Sequence, residues 1–599
     1  MISRPRGSSR GWGGGWSKSN IEPSIRRFPS PPPQVLLFVA LLGVAFAGCV
    51  SDKVGDRGEI GAYQQTLADK GPQERVDTRG EDTSNPLGVL EPVSKPLEPP
   101  LGNVEIIEDP NTGKKLVRLT MEQAIVRTLA NSPEIRVVSF DPAIAKTDIT
   151  KAAASFDPVA FSRYDYEQDD NPRNSIFQPG RSDVRTAEAG VQQRVTTGAQ
   201  WSFSYALTRS WDDLFGRTLS TRYEPLLVFQ VKQPLWRDAW EQVNLAGVSV
   251  ARLNYAVALS GFRQRAEEVS AQVIAAYWLL VQARRDLEIQ RILLDQSITT
   301  LEKVRGRRGI DATAVQTKQA EASMKLREAF LVQTQKRMVD AQDALLGLMM
   351  APDLNILTEI EIVPVTEPYL EAKELHTDEL VAMAMENNPQ VQQAHIAMKV
   401  ADINVEVAEN QYMPRLDLVA STRGTGIGED RIEAHRSLEH DDFVSYAVGV
   451  VLEYPLGNRE RAAELYKRRL ERRKAISSLH SISDLIAVQV KEKMRKAQTN
   501  YAEIQVERQA AEAAEIQLQA LQDTEEVREQ LTPEFLLVKL QAQQDLAEAR
   551  RSEARAIADY NIAIAELAQA TGTVLELHRV QSALDKVIET DPAPESQEE

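Results

Sequence analysis

From Ala239 to Val304 the chain runs for 66 residues without a proline and with only two glycines, Gly247 and Gly261. In its second half Phe262, Ala266, Val269, Val273, Ala276, Leu280, Ala283 and Leu287 recur at alternating steps of four and three, and Leu294, Ile298 and Leu301 keep the beat. A repeat of 3.5 residues marks a helix that supercoils on a partner. At 1.5 Å per residue such a helix is roughly 100 Å long. No compact domain has room for it. It must lie against equally long rods, and the rest of the chain supplies them.

Arg305-Gly306-Arg307-Arg308-Gly309 reads as a turn, and a return helix from about Ala312 to Met350 stops near Pro352. The order then repeats. Asn131-Ser132-Pro133 is echoed by Asn388-Pro389, and Phe156-Asp157-Pro158 by Tyr412-Met413-Pro414, each proline displaced by 256 positions. Gln233-Pro234-Leu235 returns as Tyr454-Pro455-Leu456. A long helix from about Arg459 to Arg528, a turn at Leu531-Thr532-Pro533 and a return helix to about Ala570 complete the second copy. Internal duplication outranks any local motif as evidence of fold. Thr120 is the expected N-cap where helical pattern begins. In each copy the helix before the strands and the return helix, end to end, approach the length of the single long helix, so each copy makes one continuous rod and one rod in two pieces.

Between the helices the period changes to two. In Ala199–Thr208, Trp201, Phe203, Tyr205 and Leu207 fall on one face and Gln200, Ser202, Ser204 and Thr208 on the other. Leu227–Gln233 alternates likewise, Asp157–Tyr166 and Val184–Thr196 do so more weakly, and Phe443–Glu453 is the strand of the second copy. Ten alternating residues suit a tilted membrane strand, with Trp201, Trp211, Trp236 and Trp240 placed for its interfaces. They equally suit a soluble sheet with one buried face. Pro158 and Pro234 lie 76 residues apart and Pro414 and Pro455 only 41, so the first copy holds an extra hairpin or a long outer loop.

The N-terminus carries a basic region ending at Arg26-Arg27, a proline-rich spacer, and the apolar run Val35–Ala47 before Gly48-Cys49. Thirteen apolar residues are short for a bilayer span and fit a signal-peptide core. Ala45-Phe46-Ala47-Gly48-Cys49 resembles a bacterial lipobox, which makes Cys49 the expected lipid attachment point. The expected organisation is a signal peptide (1–48), a lipidated flexible linker (49–118), a first repeat (119–352), an inter-repeat segment (353–375), a second repeat (376–572) and a polar tail (573–599).

A net charge of −17, moving to −22 without the leader, disfavours nucleic acid, whose phosphates need basic surface. The basic residues Arg459–Arg473 are interleaved with Glu460, Glu464 and Glu471, as on a solvated helix face. With a single cysteine there is no internal disulfide and no cysteine-built zinc site. His435 and His440 stand among Glu433, Glu439, Asp441 and Asp442 in a segment that reads as an exposed loop, a weak metal site at most. No phosphate-binding glycine loop and no nucleophile–base spacing is present, so no enzyme and no cofactor are expected.

The duplicated order of strand, long rod, tip turn and return rod resembles the TolC family of outer-membrane efflux channels over roughly 119–580. Pro234-Leu235, Pro455-Leu456, the paired Asn/Ser-Pro motifs and the tips at Gly309-Ile310-Asp311-Ala312-Thr313 and Leu531-Thr532-Pro533-Glu534-Phe535 carry the likeness. The resemblance implies a mostly α chain with a β membrane portion: long antiparallel coiled-coil helices forming a trimeric α-helical barrel, continued by a membrane β-barrel. Four strands from each of three chains would give twelve. It implies a lipid-anchored outer-membrane exit duct for efflux or type I secretion. The duct is served by an inner-membrane RND or ABC-type pump through a periplasmic adaptor docked near Gly309, Asp311, Thr532 and Pro533. The family's acidic constriction is not matched, since Phe535 and Val538 are apolar. Carboxylates are nearby at Asp523, Glu525, Glu526, Glu529 and Glu534, with Glu526, Glu529 and Glu534 the candidates for a pore ring, or all are simply exposed at a solvated tip. The competing reading, from a different class, is a structural periplasmic coiled-coil lipoprotein that spaces envelope layers and has no need of strands with an apolar outer face.

Overall fold

The computed structural model describes residues 105–108 and 115–577, apart from 174, 176–178, 215–219, 309–311, 352–353, 355–359, 441–442 and 528–531. The expected leader, Cys49, Gly309, Asp311 and Glu529 lie outside the described residues, as does the side chain of Glu526.

In chain order the elements are β1 (Glu105–Glu108), β2 (Lys115–Leu119), α1 (Met121–Asn131), α2 (Pro133–Ala153), β3 (Val159–Asp170), β4 (Arg181–Arg194), β5 (Gln200–Asp212), β6 (Thr221–Pro234), α3 (Ala246–Gly306) and α4 (Ala314–Met349). Then come β7 (Ile360–Pro364), α5 (Thr377–Asn387), α6 (Pro389–Tyr412), β8 (Arg415–Thr425), α7 (Arg431–Glu439), β9 (Val444–Glu453), α8 (Arg459–Val527) and α9 (Pro533–Thr571). The duplication is thus visible in the order of elements.

The rods form where sequence periodicity places them, with local chemistry at each end. Thr120 closes a capping box with Gln123, and Thr313 does so with Gln316. Pro133 and Pro389 occupy the first turns of α2 and α6, where a missing N–H costs nothing, and in each copy they separate a short helix from a longer one. The short helices α1 and α5 are therefore not part of the rods. α2 with 21 residues and α4 with 36 nearly match the 61 of α3, and α6 with 24 and α9 with 39 nearly match the 69 of α8. The rods lie in the order α2/α4, α3, α6/α9, α8.

The long rod starts at Ala246 rather than Ala239. Asp238 and Trp240 hold positive φ of 65° and 79°, and a one-turn helix, Glu241–Asn244, intervenes. Chain leaving a strand has to change direction before it can enter a rod. Asn410 on α6 braces the turn, accepting from the Asp238 N–H at 2.8 Å and donating to the Trp236 carbonyl at 3.1 Å.

Six strands form one antiparallel sheet in the order β3-β4-β5-β6-β8-β9. Of the two alternatives for the first copy, an extra hairpin or a long outer loop, the structure has the hairpin: this copy contributes β3 to β6, and β4–β5 accounts for its longer span between prolines. The segment around His435 is the helix α7 and not a loop.

A smaller sheet pairs β1 with β2 and, in parallel, β2 with β7. The last part of the stretch read as a tether is therefore strand. The largest core gathers here: Val117 and Leu119 on β2, Ile125 on α1, Val273, Ile274, Tyr277 and Leu280 on α3, Leu345 and Met349 on α4, and Ile362 on β7. Tyr277 donates its hydroxyl to the Leu119 carbonyl (3.1 Å) and accepts from the Thr366 N–H (3.0 Å), so its one polar atom is satisfied.

Candidate functional site

The larger sheet has two chemically distinct faces, fixed by strand register. Trp201, Phe203, Tyr205 and Leu207 on β5 stand opposite Val231, Phe229, Leu227 and Pro225 on β6. The same face continues through Leu418 and Ala420 on β8 to Val450 and Val448 on β9, and through Val191, Ala189 and Ala187 on β4 to Ala160 and Tyr164 on β3. On the other face lie Ser202, Ser204 and Thr208, Gln230 and Lys232, Glu188 and Thr186, Asp165 and Arg163, Ser421 and Arg423. Strands of 10 to 14 residues with an apolar band on one face and a polar opposite face match a membrane barrel's wall. Tyr446, Val448 and Val450 on the edge strand β9 are exposed, which a soluble sheet would bury. No helix among the described residues is long and apolar enough to cross a membrane.

Near the end of the sheet away from the rods, α7 rests on the apolar face. His435 Nε2 lies 2.5 Å from the Tyr205 hydroxyl, and Arg431 sits over the Tyr223 ring at 5.9 Å. Gly426 and Gly428 run so close beneath Ala434 that a Cβ at either would meet its backbone. His435 is thus a packing and hydrogen-bonding residue. No cluster of three potential metal ligands occurs among the described residues.

At the rod end, Pro234 closes β6 and is buried, while Pro455 follows β9. Both mark the step from strand to rod. Exposed Leu235, Trp236, Trp240, Tyr454 and Leu456 gather beside these steps, a composition suited to a membrane–water interface.

At the opposite end the two tips come together. Leu301 and Val304 on α3, Ala312 in the turn and Ala320 on α4 pack with Phe535, Leu536 and Leu540 on α9. Thr532 caps α9 by accepting from the Phe535 N–H at 3.3 Å, with Pro533 at the first turn. Phe535 points into this core, Val538 is exposed, and Glu534 stands exposed in the first turn. Above the core lies a polar layer that the sequence did not announce. Arg327, 3% exposed, donates to Ser297 Oγ, to Gln543 Oε1 at 2.9 Å and to the Leu540 carbonyl at 2.8 Å, tying α4 to α3 and α9. These partners are neutral, and burial lowers its guanidinium pKa to about 10. Lys539 meets Glu525 at 2.5 Å, and Lys303 reaches the same carboxylate at 3.6 Å. Glu525 is thus a tip carboxylate with defined partners. Spacing along one helix gives no hint of these bonds, because each crosses from one rod to another.

The chain's fold is similar to those of solved outer-membrane channels. VceC of Vibrio cholerae is 18% identical over 76% of this chain and 96% of its own, with a TM-score of 0.53. The open-state channel MtrE of Neisseria gonorrhoeae is 14% identical over 76% and 89%, with a TM-score of 0.54. CmeC of Campylobacter jejuni is 12% identical over 78% and 88%, with a TM-score of 0.52. At such identities the likeness is one of fold. No curated protein matches the sequence. The model of the outer membrane efflux protein family matches residues 380–573, from α5 to the end of α9.

Proposed function

We propose that three copies of this chain close into an outer-membrane exit duct, a β-barrel in the membrane continued by a barrel of rods through the periplasm. The observation that carries this reading is the chemistry of the subunit's two flanks. β3 and β9 are edge strands, and in lipid each unpaired backbone group costs several kcal/mol. β3 runs away from the rods and β9 runs back toward them, so β9 of one copy lies antiparallel to β3 of the next. The flanking rods leave apolar residues open at helical spacing: Val137, Phe140 and Ile144 on α2, Leu326 and Phe330 on α4, and Leu485, Val488, Val506 and Ile516 on α8. Two different flanks that complement each other make a heterologous contact, which closes as a ring.

Conduction is passive in this reading. An inner-membrane pump of RND or ABC type supplies the energy, through a periplasmic adaptor seated on the tips near Gly309, Asp311, Thr532 and Pro533. Cys49 carries the lipid. Three copies of Glu526, Glu529 or Glu534 ring the pore mouth and favour cations. Planar-bilayer recording of the purified protein tests the duct directly. Discrete conductance steps from a heat-labile trimer are expected. A detergent-independent monomer, once Cys49 is replaced by Ser, would favour the envelope spacer instead.

A further inference from the structure

The β4–β5 hairpin has no rod of its own. β3 follows α2, β6 leads into α3, β8 follows α6 and β9 leads into α8, so four of the six strands are each continuous with a rod. The remaining two lie between β3 and β6, paired on both sides along their length. The hairpin's turn is seated on the strand-to-rod step. Arg194 donates to Asn244 Oδ1 at 2.6 Å, and Thr196 to Glu241 Oε1 at 3.0 Å. Gly198, at φ 90°, passes so close to the Asp238 carbonyl that no Cβ would fit. Its outward residues Val191, Ala189, Ala187, Trp201, Phe203 and Leu207 continue the apolar band without a break.

Girth gives this arrangement a purpose. Rods packed 8–10 Å apart make a layer about 36 Å wide from four rods. Strands 4.8 Å apart and tilted near 40° each take up about 6 Å of circumference, so six give about 37 Å and four only about 25 Å. Six strands cap four rods without narrowing.

Resting on the trimeric duct reading, we propose that the β4–β5 hairpin is part of the membrane wall and that the assembled duct carries an eighteen-stranded barrel. Its circumference, about 110 Å, equals that of the helical tube beneath it. The sheet is then no narrower than the rods, barrels of this size enclose an aqueous channel, and selection of cargo by size falls to the tips.

Electron cryomicroscopy of the full chain in lipid nanodiscs tests this, beside a variant lacking residues 181–212, which joins β3 to β6 and preserves strand alternation. The expected wild-type result is a three-fold ring of eighteen strands. The variant is expected to keep the three-fold rods while the ring shrinks by about a third, to twelve. A three-fold ring of twelve strands in the wild type, with the hairpin outside the wall, overturns the proposal and leaves the trimeric duct standing. Particles with no closed ring overturn the duct reading itself. Should the variant not fold, the wild-type strand number still decides.

Discussion

The long rods α3 and α8 are close in length, 61 and 69 residues, yet they are built differently. α3 lies between two neighbours along its whole length: α2 and α4 on one flank, α6 and α9 on the other. It buries residues on both sides, among them Val269, Val273, Ile274, Tyr277, Trp278 and Leu280. α8 has companions on one flank only, and its buried apolar residues Leu479, Ile486, Val490, Ala497, Ile504, Ala511 and Leu518 form a single seam at steps of seven, with one step of four. The number of apolar stripes on a rod counts its neighbours within the subunit. Apolar residues left over, such as Val488, Val506 and Ile516, point to a neighbour from another copy.

The most severe way to break this comparison is at the flank. Replacing both Phe140 and Ile144 by Glu should abolish the trimer on a native gel while far-ultraviolet circular dichroism of the subunit stays unchanged, because both side chains are exposed within it. If assembly survives, the flank of α2 is not an interface. On the two-sided rod, Leu280→Ala empties a fully buried site and should lower subunit stability by about 2–5 kcal/mol in urea titration. The matched change Val506→Ala on α8 should stay within about 0.5 kcal/mol for the isolated subunit. Equal losses would mean that stripe number says nothing about neighbours.

Gly572 at the end of α9 sharpens the contrast in backbone terms. It holds φ 72°, and a Cβ there would sit 2.6 Å from the Asn387 carbonyl. Gly572→Ala should cost about 1–3 kcal/mol, whereas Gly247→Ala on α3, with open space around it, should be neutral or slightly stabilising. Thermal melts of the two variants would distinguish the sites.

The smallest effect is in pH dependence. Crowding from both sides buries Glu267 on α3, and desolvation raises its pKa to about 7, against the opposing pull of Arg263 at 3.1 Å. Between pH 4.5 and 7 the folded chain holds this proton after the unfolded chain has lost it, so stability falls as pH rises through that window and levels above it. Glu267→Gln should remove that component of the slope. A wild-type slope that is unchanged in Glu267→Gln would count against the burial argument.

Much of this architecture is legible in the residues. Heptad spacing gives the rods, Pro133 and Pro389 mark the paired breaks, and Thr120 and Thr532 set helix starts. The departure of α1 from the rod is not legible, since its apolar face has the same period whether it continues a rod or turns onto the smaller sheet. β3 and β4 are faint because small and polar residues occupy much of both faces. β8 is hard to read, since Thr422 and Gly424 thin its apolar face and Val419 falls on the polar one. The tip layer around Arg327 and the Glu525–Lys539 pair join residues on different rods, and only their packing reveals them. His435 and its acidic neighbours looked like loop because a nine-residue helix gives too few turns for a period to stand out.

The parallel pairing of Lys115–Leu119 with Ile360–Pro364 bears on biogenesis. One edge of that ribbon waits for a segment synthesised some 240 residues later, so the first repeat cannot complete its sheet until the stretch joining the two repeats has been made. Until the middle of the sequence arrives, that edge of Lys115–Leu119 stays without its partner strand. Truncation after Met349 should accordingly leave residues 115–119 open to protease, while the full chain resists cleavage there.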